Sequence, residues 1–152
     1  MKVSEVMTAP PVCVAPHVSL LEVTRRMTER AIGSVLVVED DALLGIVTDR
    51  DLALRGMGGG LASETPVHAV MSAQVVTVDA DNDLQVAYLT FRRTGVRRLP
   101  VLNEGGVVGV LTVDDLFLDV FRRLADLLGP VTWSVLQEPP GPPAACGGTY
   151  EP

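Results

Sequence analysis

The chain repeats itself at a spacing of 64 residues. Residues 6–52 align without a gap on residues 70–116, with 11 identities in 47 positions, where chance gives about 3 at ordinary residue frequencies. Internal repetition constrains the architecture before any local prediction, because both copies are expected to adopt the same fold. The most informative stretches close the two copies: GIVTDRDL and GVLTVDDL share the pattern Gly-x-x-Thr-x-x-Asp-Leu.

Each copy is predicted to contain the elements β-α-β-β-α. Apolar residues near the helical period predict the first helix, and acidic or glycine-rich turns between two apolar runs predict a hairpin. The predicted fold class is therefore mixed α+β. The predicted strands and first helices are residues 12–14, 19–30, 34–38 and 43–47 in the first copy and 75–78, 83–94, 99–102 and 107–111 in the second.

Capping residues mark the start of the first helix in each copy. Ser19-Leu20-Leu21-Glu22 fits a capping box, and Asp83 is the matching N-cap of the second copy. Side chains of these types accept hydrogen bonds from the unpaired N–H groups of a first helical turn. The closing helices differ: the first is predicted to end near Arg55, before a flexible glycine-rich joint at residues 57–60.

The closing helix of the second copy is predicted over residues 114–128 and carries a wide apolar face that includes Leu116, Phe117 and Phe121. Such a face packs across the two copies or forms a homodimer contact, and the sequence leaves both alternatives open. The predicted domains are a first repeat with the joint (1–60) and a second repeat with the long helix (61–128). A Pro/Gly-rich tail, extended or disordered, is predicted over residues 129–152.

Composition narrows the class of function. A formal net charge of −7 argues against nucleic acid as the main partner, because phosphate-backbone binding requires a basic face. No apolar run approaches the roughly 18 residues of a membrane helix, and no signal-peptide core is present, so we expect a cytoplasmic protein without a membrane partner. Cys13 and Cys146 are expected to be free thiols. We find no catalytic motif and no metal-ligand spacing. We therefore expect a protein that is not an enzyme and has no metal site.

The repeat resembles a tandem pair of CBS (cystathionine β-synthase) domains, often called a Bateman module. The resemblance covers residues 2–128 and rests on VMT near the start, the capped helix, TGVRRLPV at residues 94–101, and the Gly-x-x-Thr-x-x-Asp-Leu end of both copies. It implies a pseudo-twofold pair of repeats with clefts between them. Those clefts commonly hold AMP, ADP or ATP, and less often S-adenosylmethionine or a dinucleotide. No obligatory cofactor is implied.

The resemblance also implies a set of binding residues. Asp51 and Asp115 correspond to the ribose contacts, and Thr48 and Thr112 to the hydroxyls that meet phosphate or ribose. A basic residue that reaches the phosphate corresponds to Arg97, helped by Arg98, while Arg50, beside Asp49, could supply charge to the first site. Apolar residues expected against adenine are Val12 and Ile32, or Val76 and Val96.

The repeated Thr-x-x-Asp pattern also has a purely structural interpretation as a helix capping box. We interpret the glycine that precedes it in both copies, Gly45 and Gly109, as a sign that a nucleotide approaches closely. Two functions remain open at this point. One is a regulatory module that binds an adenosine nucleotide and changes shape or affinity for a target protein. The other is a ligand-free interaction scaffold that dimerises through the last helix.

Overall fold

The structure, a computed structural model, describes residues 1–137, with side chains described as far as residue 130. Two three-stranded sheets and four helices build a mixed α+β fold, as predicted. The chain divides into two compact units at Phe117/Leu118. The elements of the first copy are β1 (Cys13–Val14), α1 (Leu20–Arg30), β2 (Ser34–Glu39), β3 (Ala42–Thr48) and α2 (Asp49–Asp51, continued by a π-helix over Leu52–Met57); those of the second are β4 (Val78–Asp79), α3 (Leu84–Thr94), β5 (Arg98–Asn103), β6 (Gly106–Thr112) and α4 (Val113–Gln137).

The two sheets have the same topology. In each, the short first strand pairs in parallel with the middle strand, which pairs antiparallel with the third through a tight turn. Both turns use left-handed backbone: φ is 49° at Asp40 and 63° at Asp41 in the first, and 49° at Glu104 and 86° at Gly105 in the second. Such two-residue turns match the twist of a hairpin, which confirms the predicted hairpins.

The predicted N-caps of the first helices are both present. Ser19 Oγ accepts a hydrogen bond from Glu22 N at 3.2 Å, and Asp83 Oδ1 accepts one from Gln85 N at 2.9 Å. The full capping box expected at Ser19 is half formed, because the Glu22 carboxylate pairs with Arg25 at 3.4 Å and Arg26 at 3.0 Å along the helix.

Each copy contributes the segment at its N-terminal end, here called its leading segment, to the hydrophobic core of the other copy. Val67 and Val70, at the start of the second copy, are fully buried in the core of the first copy. Val3, which precedes the first copy, is fully buried in the core of the second. The backbone follows the same exchange, since isolated antiparallel bridges join Thr8 to Val110 and Ser72 to Ile46. A boundary at residues 60/61 therefore does not separate the two cores.

The repeated glycines are explained by this exchange. A Cβ atom at Gly45 would lie 2.6 Å from the Met71 sulfur and 2.8 Å from the Ser72 carbonyl oxygen. At Gly109 it would lie 2.5 Å from the Met7 sulfur and 2.9 Å from the Thr8 carbonyl oxygen. The close neighbour in each copy is the leading segment of the other copy. Our interpretation of these glycines as a mark of nucleotide approach is therefore wrong.

The helices that close the copies run further than predicted. The first continues as a π-helix to Met57, and Gly58 N, Gly60 N and Leu61 N all form backbone hydrogen bonds, so the glycine-rich joint is partly ordered by its own contacts. The second, α4, continues through Pro130 to Gln137, so residues 129–137 are helical rather than the start of an extended tail. The rest of the predicted tail, with Cys146, lies outside the described residues. No helix among residues 1–137 has the length and apolar character needed to span a membrane.

Candidate ligand cleft

A capping box opens α4 at the end of the second sheet. Asp115 Oδ2 accepts hydrogen bonds from Thr112 N and Thr112 Oγ1, both at 2.7 Å, and Asp115 N donates to Thr112 Oγ1 at 3.1 Å. The structural interpretation of Thr-x-x-Asp is therefore confirmed. These bonds to Thr112 occupy one carboxylate oxygen, Oδ2, of this half-buried residue.

The first copy has the same box with one added contact. Asp51 Oδ2 accepts from Thr48 N at 2.9 Å and from Thr48 Oγ1 at 3.0 Å, while Asp51 N donates to Thr48 Oγ1 at 3.2 Å. Here the second oxygen, Oδ1, lies 3.8 Å from Arg55 Nε. Arg55 also donates to the Val70 carbonyl oxygen at 3.2 Å. The position that corresponds to Arg55 in the second copy is Asp119.

A cavity of about 220 Å³ lies beside the box of the second copy. Its wall combines residues from both copies: an apolar and proline-rich part from the first copy, and a polar part with Arg98 and Thr112 from the second. Arg98 is the one charged side chain among the described residues that line it. The lining residues are Thr8, Pro10, Pro11, Val12, Ile32, Gly33, Ser34, Leu36, Arg98, Val110 and Thr112.

The exchanged leading segment brings these two parts together. Thr8 N donates to the Val110 carbonyl oxygen at 2.9 Å, and Val110 N donates to that of Thr8 at 3.0 Å. This pair seats residues 8–12 along the outer edge of β6, two residues before Thr112. Leu36 N donates to the Val12 carbonyl oxygen at 3.0 Å and fixes the opposite wall.

Four of the predicted site residues line this cleft: Val12, Ile32, Arg98 and Thr112. Asp115 adjoins it through its hydrogen bonds to Thr112. The structure places Val12 and Ile32 of the first copy beside Thr112 of the second.

The other predicted residues lie elsewhere. Arg97 is exposed, and its carbonyl oxygen accepts a hydrogen bond from Val113 N at 3.1 Å. Val76 and Val96 pack against the core of the second copy. The remaining predicted residues, Thr48, Asp49, Arg50 and Asp51, lie together at the start of α2.

Sequence reasoning missed the part of the lining contributed by the leading segment. Thr8, Pro10 and Pro11 stand at the start of the first copy, and Thr8 corresponds to Ser72 in the second. The repeated VMT/VMS motif was a signal for these residues. It precedes the first strand in both copies, and its apolar side chains need a packing partner.

An open groove on the other side of Gly33 reaches the helices of the first copy. It has a volume of about 560 Å³ and is lined by Asp49, Ile32 and Gly33 together with side chains of α1 and α2. Gly33 and Ile32 therefore form part of both cavities. A Cβ atom at Gly33 would lie 3.1 Å from Arg98 Nη2 and 3.2 Å from Asp49 Oδ2.

The described residues contain no cluster of three or more His, Cys, Asp and Glu side chains suited to a metal ion. Cys13 lies beside the Pro11 carbonyl oxygen at 4.0 Å, and partial burial raises the pKa of its thiol above the ordinary value. A raised pKa reduces the thiolate fraction of Cys13 at neutral pH.

The chain matches the CBS domain family twice, over residues 3–57 and 67–121. It is 33% identical over 114 residues to the CBS domain-containing protein YhcV of Bacillus subtilis, which covers 75% of this chain and 81% of that protein. It is 32% identical over 114 residues to Hypoxic response protein 1 of Mycobacterium tuberculosis, covering 74% and 80% respectively. The solved structure of the CBS domain protein PAE2072 from Pyrobaculum aerophilum, complexed with AMP, is similar with a TM-score of 0.68 and 25% identity over 76% of this chain and 90% of that one.

The chain therefore belongs to the CBS domain family and contains two CBS domains in tandem. This confirms the family and the mixed α+β fold predicted from the repeat. CBS pairs of this kind are typically regulatory or sensor modules.

Proposed function

We propose that this CBS pair is a regulatory module that binds an adenosine-containing ligand in the cleft beside Asp115. The observation that carries the proposal is the cleft itself, which joins an apolar wall, one arginine and a helix-opening Thr-x-x-Asp box. A largely apolar pocket with a few convergent polar groups is the usual form of a small-molecule site. The AMP complex of the similar protein PAE2072 supports the same ligand class.

Each part of the cleft has a chemical role in this proposal. The adenine ring packs between Val12 and Ile32, whose apolar surface favours an aromatic ring. The free oxygen of Asp115 accepts hydrogen bonds from the ribose hydroxyls, and Arg98 pairs with phosphate, for which a guanidinium is well shaped. The N-terminal end of α4 adds a positive dipole end near Thr112.

The cavity volume favours a small ligand. About 220 Å³ is below the roughly 300–1,000 Å³ common for ligand pockets. A mononucleotide therefore requires less opening of the cleft than a dinucleotide does.

We propose that the equivalent position at Thr48 and Asp51 binds more weakly. Arg55 already faces the second oxygen of Asp51 at 3.8 Å, so a ribose must compete with it. In addition, Ser34 takes the place in the first copy that Arg98 has in the second, which removes the phosphate partner.

Ligand binding in this cleft would couple the two copies. The wall comes from both, so a ligand that fits one relative arrangement better than another shifts the population toward it. The size of the shift is limited by the difference in affinity for the two arrangements. We propose that such a shift changes the affinity for a target protein in the cytoplasm.

The direct test is thermal denaturation of the full chain with AMP, ADP, ATP and S-adenosylmethionine. At a concentration of 100 times the Kd, a ligand stabilises the folded state by about 2.7 kcal/mol. We expect Asp115→Ala to abolish this gain and Asp51→Ala to retain it. The two variants are matched, because each removes one helix cap and costs the free protein about 1 kcal/mol. An undiminished ligand-induced shift in Asp115→Ala would contradict the ribose role.

A second candidate function, a ligand-free dimeric scaffold, is supported by one face of α4. Phe117, Phe121 and Leu127 are 69%, 68% and 71% exposed, and Val120 and Leu124 are exposed on the same face. Residues three and four apart lie on one side of a helix, so these side chains form a continuous apolar stripe. A stripe of this kind marks an interaction site, and we propose that it pairs with a second copy of the chain.

Sedimentation equilibrium of the full chain tests the homodimer. We expect a dimer for the wild type, a monomer for Phe121→Arg, and a dimer for the neighbouring control Arg122→Gln. A monomeric wild type would rule out the dimer. Retained AMP binding by the monomeric Phe121→Arg variant would show that binding and dimerisation are independent.

A further inference from the structure

We propose that Asp49 is a specificity-determining residue of the cleft: it limits the negative charge of the bound ligand, so that an adenosine monophosphate binds in preference to the triphosphate. This inference rests on the proposed function, because it concerns the ligand class of the same cleft. The observation that carries it is the approach of both Arg98 and Asp49 to the space beside Gly33.

Two charged groups border the space beside Gly33. A Cβ atom at position 33 would lie 3.1 Å from Arg98 Nη2 and 3.2 Å from Asp49 Oδ2. Arg98 reaches this point from the cleft, and Asp49 reaches it from the groove on the first copy. The carboxylate of one copy and the guanidinium of the other therefore both border the space that a side chain at position 33 would occupy.

The Asp49 carboxylate is held in this position by its own backbone contacts. Asp49 N donates to the Gly33 carbonyl oxygen at 3.0 Å, which ties the start of α2 to the glycine. Asp49 Oδ1 accepts from Arg50 N at 2.8 Å, so Oδ2 is the oxygen that faces Arg98.

The charge balance of the cleft follows from this arrangement. Arg98 is the one charged side chain among the described lining residues, and the Asp49 carboxylate lies close to the same Gly33 position. Asp114 and Asp115 at the start of α4 add negative charge nearby. Each further phosphate on the ligand adds repulsion from these carboxylates without another cation in the lining to compensate, since opposite and like charges act over several ångströms.

This feature is a property of one copy. The positions that correspond to Gly33 and Asp49 in the second copy are Arg97 and Val113. The same backbone hydrogen bond is present there, from Val113 N to the Arg97 carbonyl oxygen at 3.1 Å, but valine carries no charge. The scaffold is shared, and the selecting carboxylate is not.

Isothermal titration calorimetry of the full chain with AMP and with ATP, at low ionic strength and without divalent cations, tests the inference. We expect the wild type to bind AMP more tightly. In Asp49→Asn the ratio of the ATP Kd to the AMP Kd should fall about threefold or more, because one carboxylate charge is removed near the phosphates. Asparagine retains the oxygen that accepts from Arg50 N, so the start of α2 is preserved.

Asp41→Asn is the matched control. It makes the same change in net charge at a hairpin turn with φ of 63°, which asparagine tolerates. Its ratio should equal that of the wild type. If the wild type binds AMP and Asp49→Asn leaves the ratio unchanged, or if the wild type prefers ATP, this inference is overturned while the proposed function stands. If the wild type binds neither nucleotide, the proposed function fails and the inference fails with it.

Discussion

The two copies are alike where the fold is built and different where the cleft chemistry lies. Both have the same sheet, the same Thr-x-x-Asp box and the same glycine packed on a leading segment. They differ at the pairs Gly33/Arg97, Ser34/Arg98 and Asp49/Val113. The repeated residues maintain the scaffold, whereas the residues that differ between the copies lie in and around the cleft.

The largest expected effect tests the exchange of leading segments between the copies. Val3→Asp places an unpaired carboxylate in a fully buried position of the second core. We expect it to lower the free energy of unfolding by about 4 kcal/mol, the range for a buried uncompensated polar group. Val67→Asp should do the same through the first core, and urea denaturation measures both.

The milder variants Val3→Ala and Val67→Ala show where each segment belongs. Hydrogen exchange should rise in β4–β6 for Val3→Ala and in β1–β3 for Val67→Ala, because each valine contacts the core of the other copy. The exposed neighbour Ser4→Ala is the control and should leave exchange unchanged. If hydrogen exchange increased only in the copy to which the substituted valine belongs in sequence, the swapped packing of the leading segments would be contradicted.

An intermediate effect is expected at the repeated glycines, and it should be equal in the two copies. Gly45→Ala and Gly109→Ala each place a Cβ atom within 3 Å of a backbone oxygen that cannot move freely. We expect each to cost about 1–3 kcal/mol, as for other overpacked sites. Gly106→Ala, whose Cβ would lie at 3.7 Å from its nearest neighbour, is the control in a thermal denaturation series. A strong effect in one copy alone would show that the two glycines are not packed equivalently.

The smallest expected effect is a difference in the pH dependence of the melting temperature between the helix caps Asp83 and Ser19. The hydrogen bond from Gln85 N lowers the pKa of Asp83, with a further contribution from the N-terminal ammonium. A carboxyl group with a lowered pKa in the folded state stabilises that state above its unfolded pKa, and this stabilisation is lost as the pH falls through the folded pKa. Asp83→Ser should therefore reduce the loss of melting temperature between about pH 5 and pH 3.

Ser19→Ala provides the comparison for this pH series, because the cap of the first copy does not titrate. Its cost in melting temperature should be the same at both ends of the pH range. A cost of Asp83→Ser that is equally independent of pH would show that the hydrogen bond to Gln85 N does not depend on the carboxylate charge.

Much of the fold follows from local sequence. The repeat, the hairpins with Asp40-Asp41 and Glu104-Gly105 at their turns, and the caps Ser19 and Asp83 are determined by residues close together in the chain. The exchange of leading segments is not, because it pairs Val3 with a core that begins more than seventy residues later. Nothing in the local pattern distinguishes packing on the nearer core from packing on the farther one.

A cleft between the copies was predicted from the sequence, but several of the residues predicted to line it lie elsewhere. Side chains alternate between the two faces of an extended strand, so of the neighbours Arg97 and Arg98 only one faces the cleft, and the repeat does not determine which. The helix beyond Gly129 was missed because the Pro/Gly-rich composition of residues 138–143 was extended to everything after Gly129. A proline removes one helical hydrogen bond and bends a helix without ending it in every case, and residues 131–137 contain no further Gly or Pro.

The reciprocal burial of Val3 and Val67 has a consequence for how such a protein can be divided. Each core is completed by a segment that belongs to the other copy, so a cut between the copies separates each core from part of itself. Two fragments severed in the glycine-rich joint would each lack a piece held by the other and would become whole only by association. The piece of this chain that keeps both cores complete when moved into another protein is thus the pair, since a single repeat lacks a buried part of its own core.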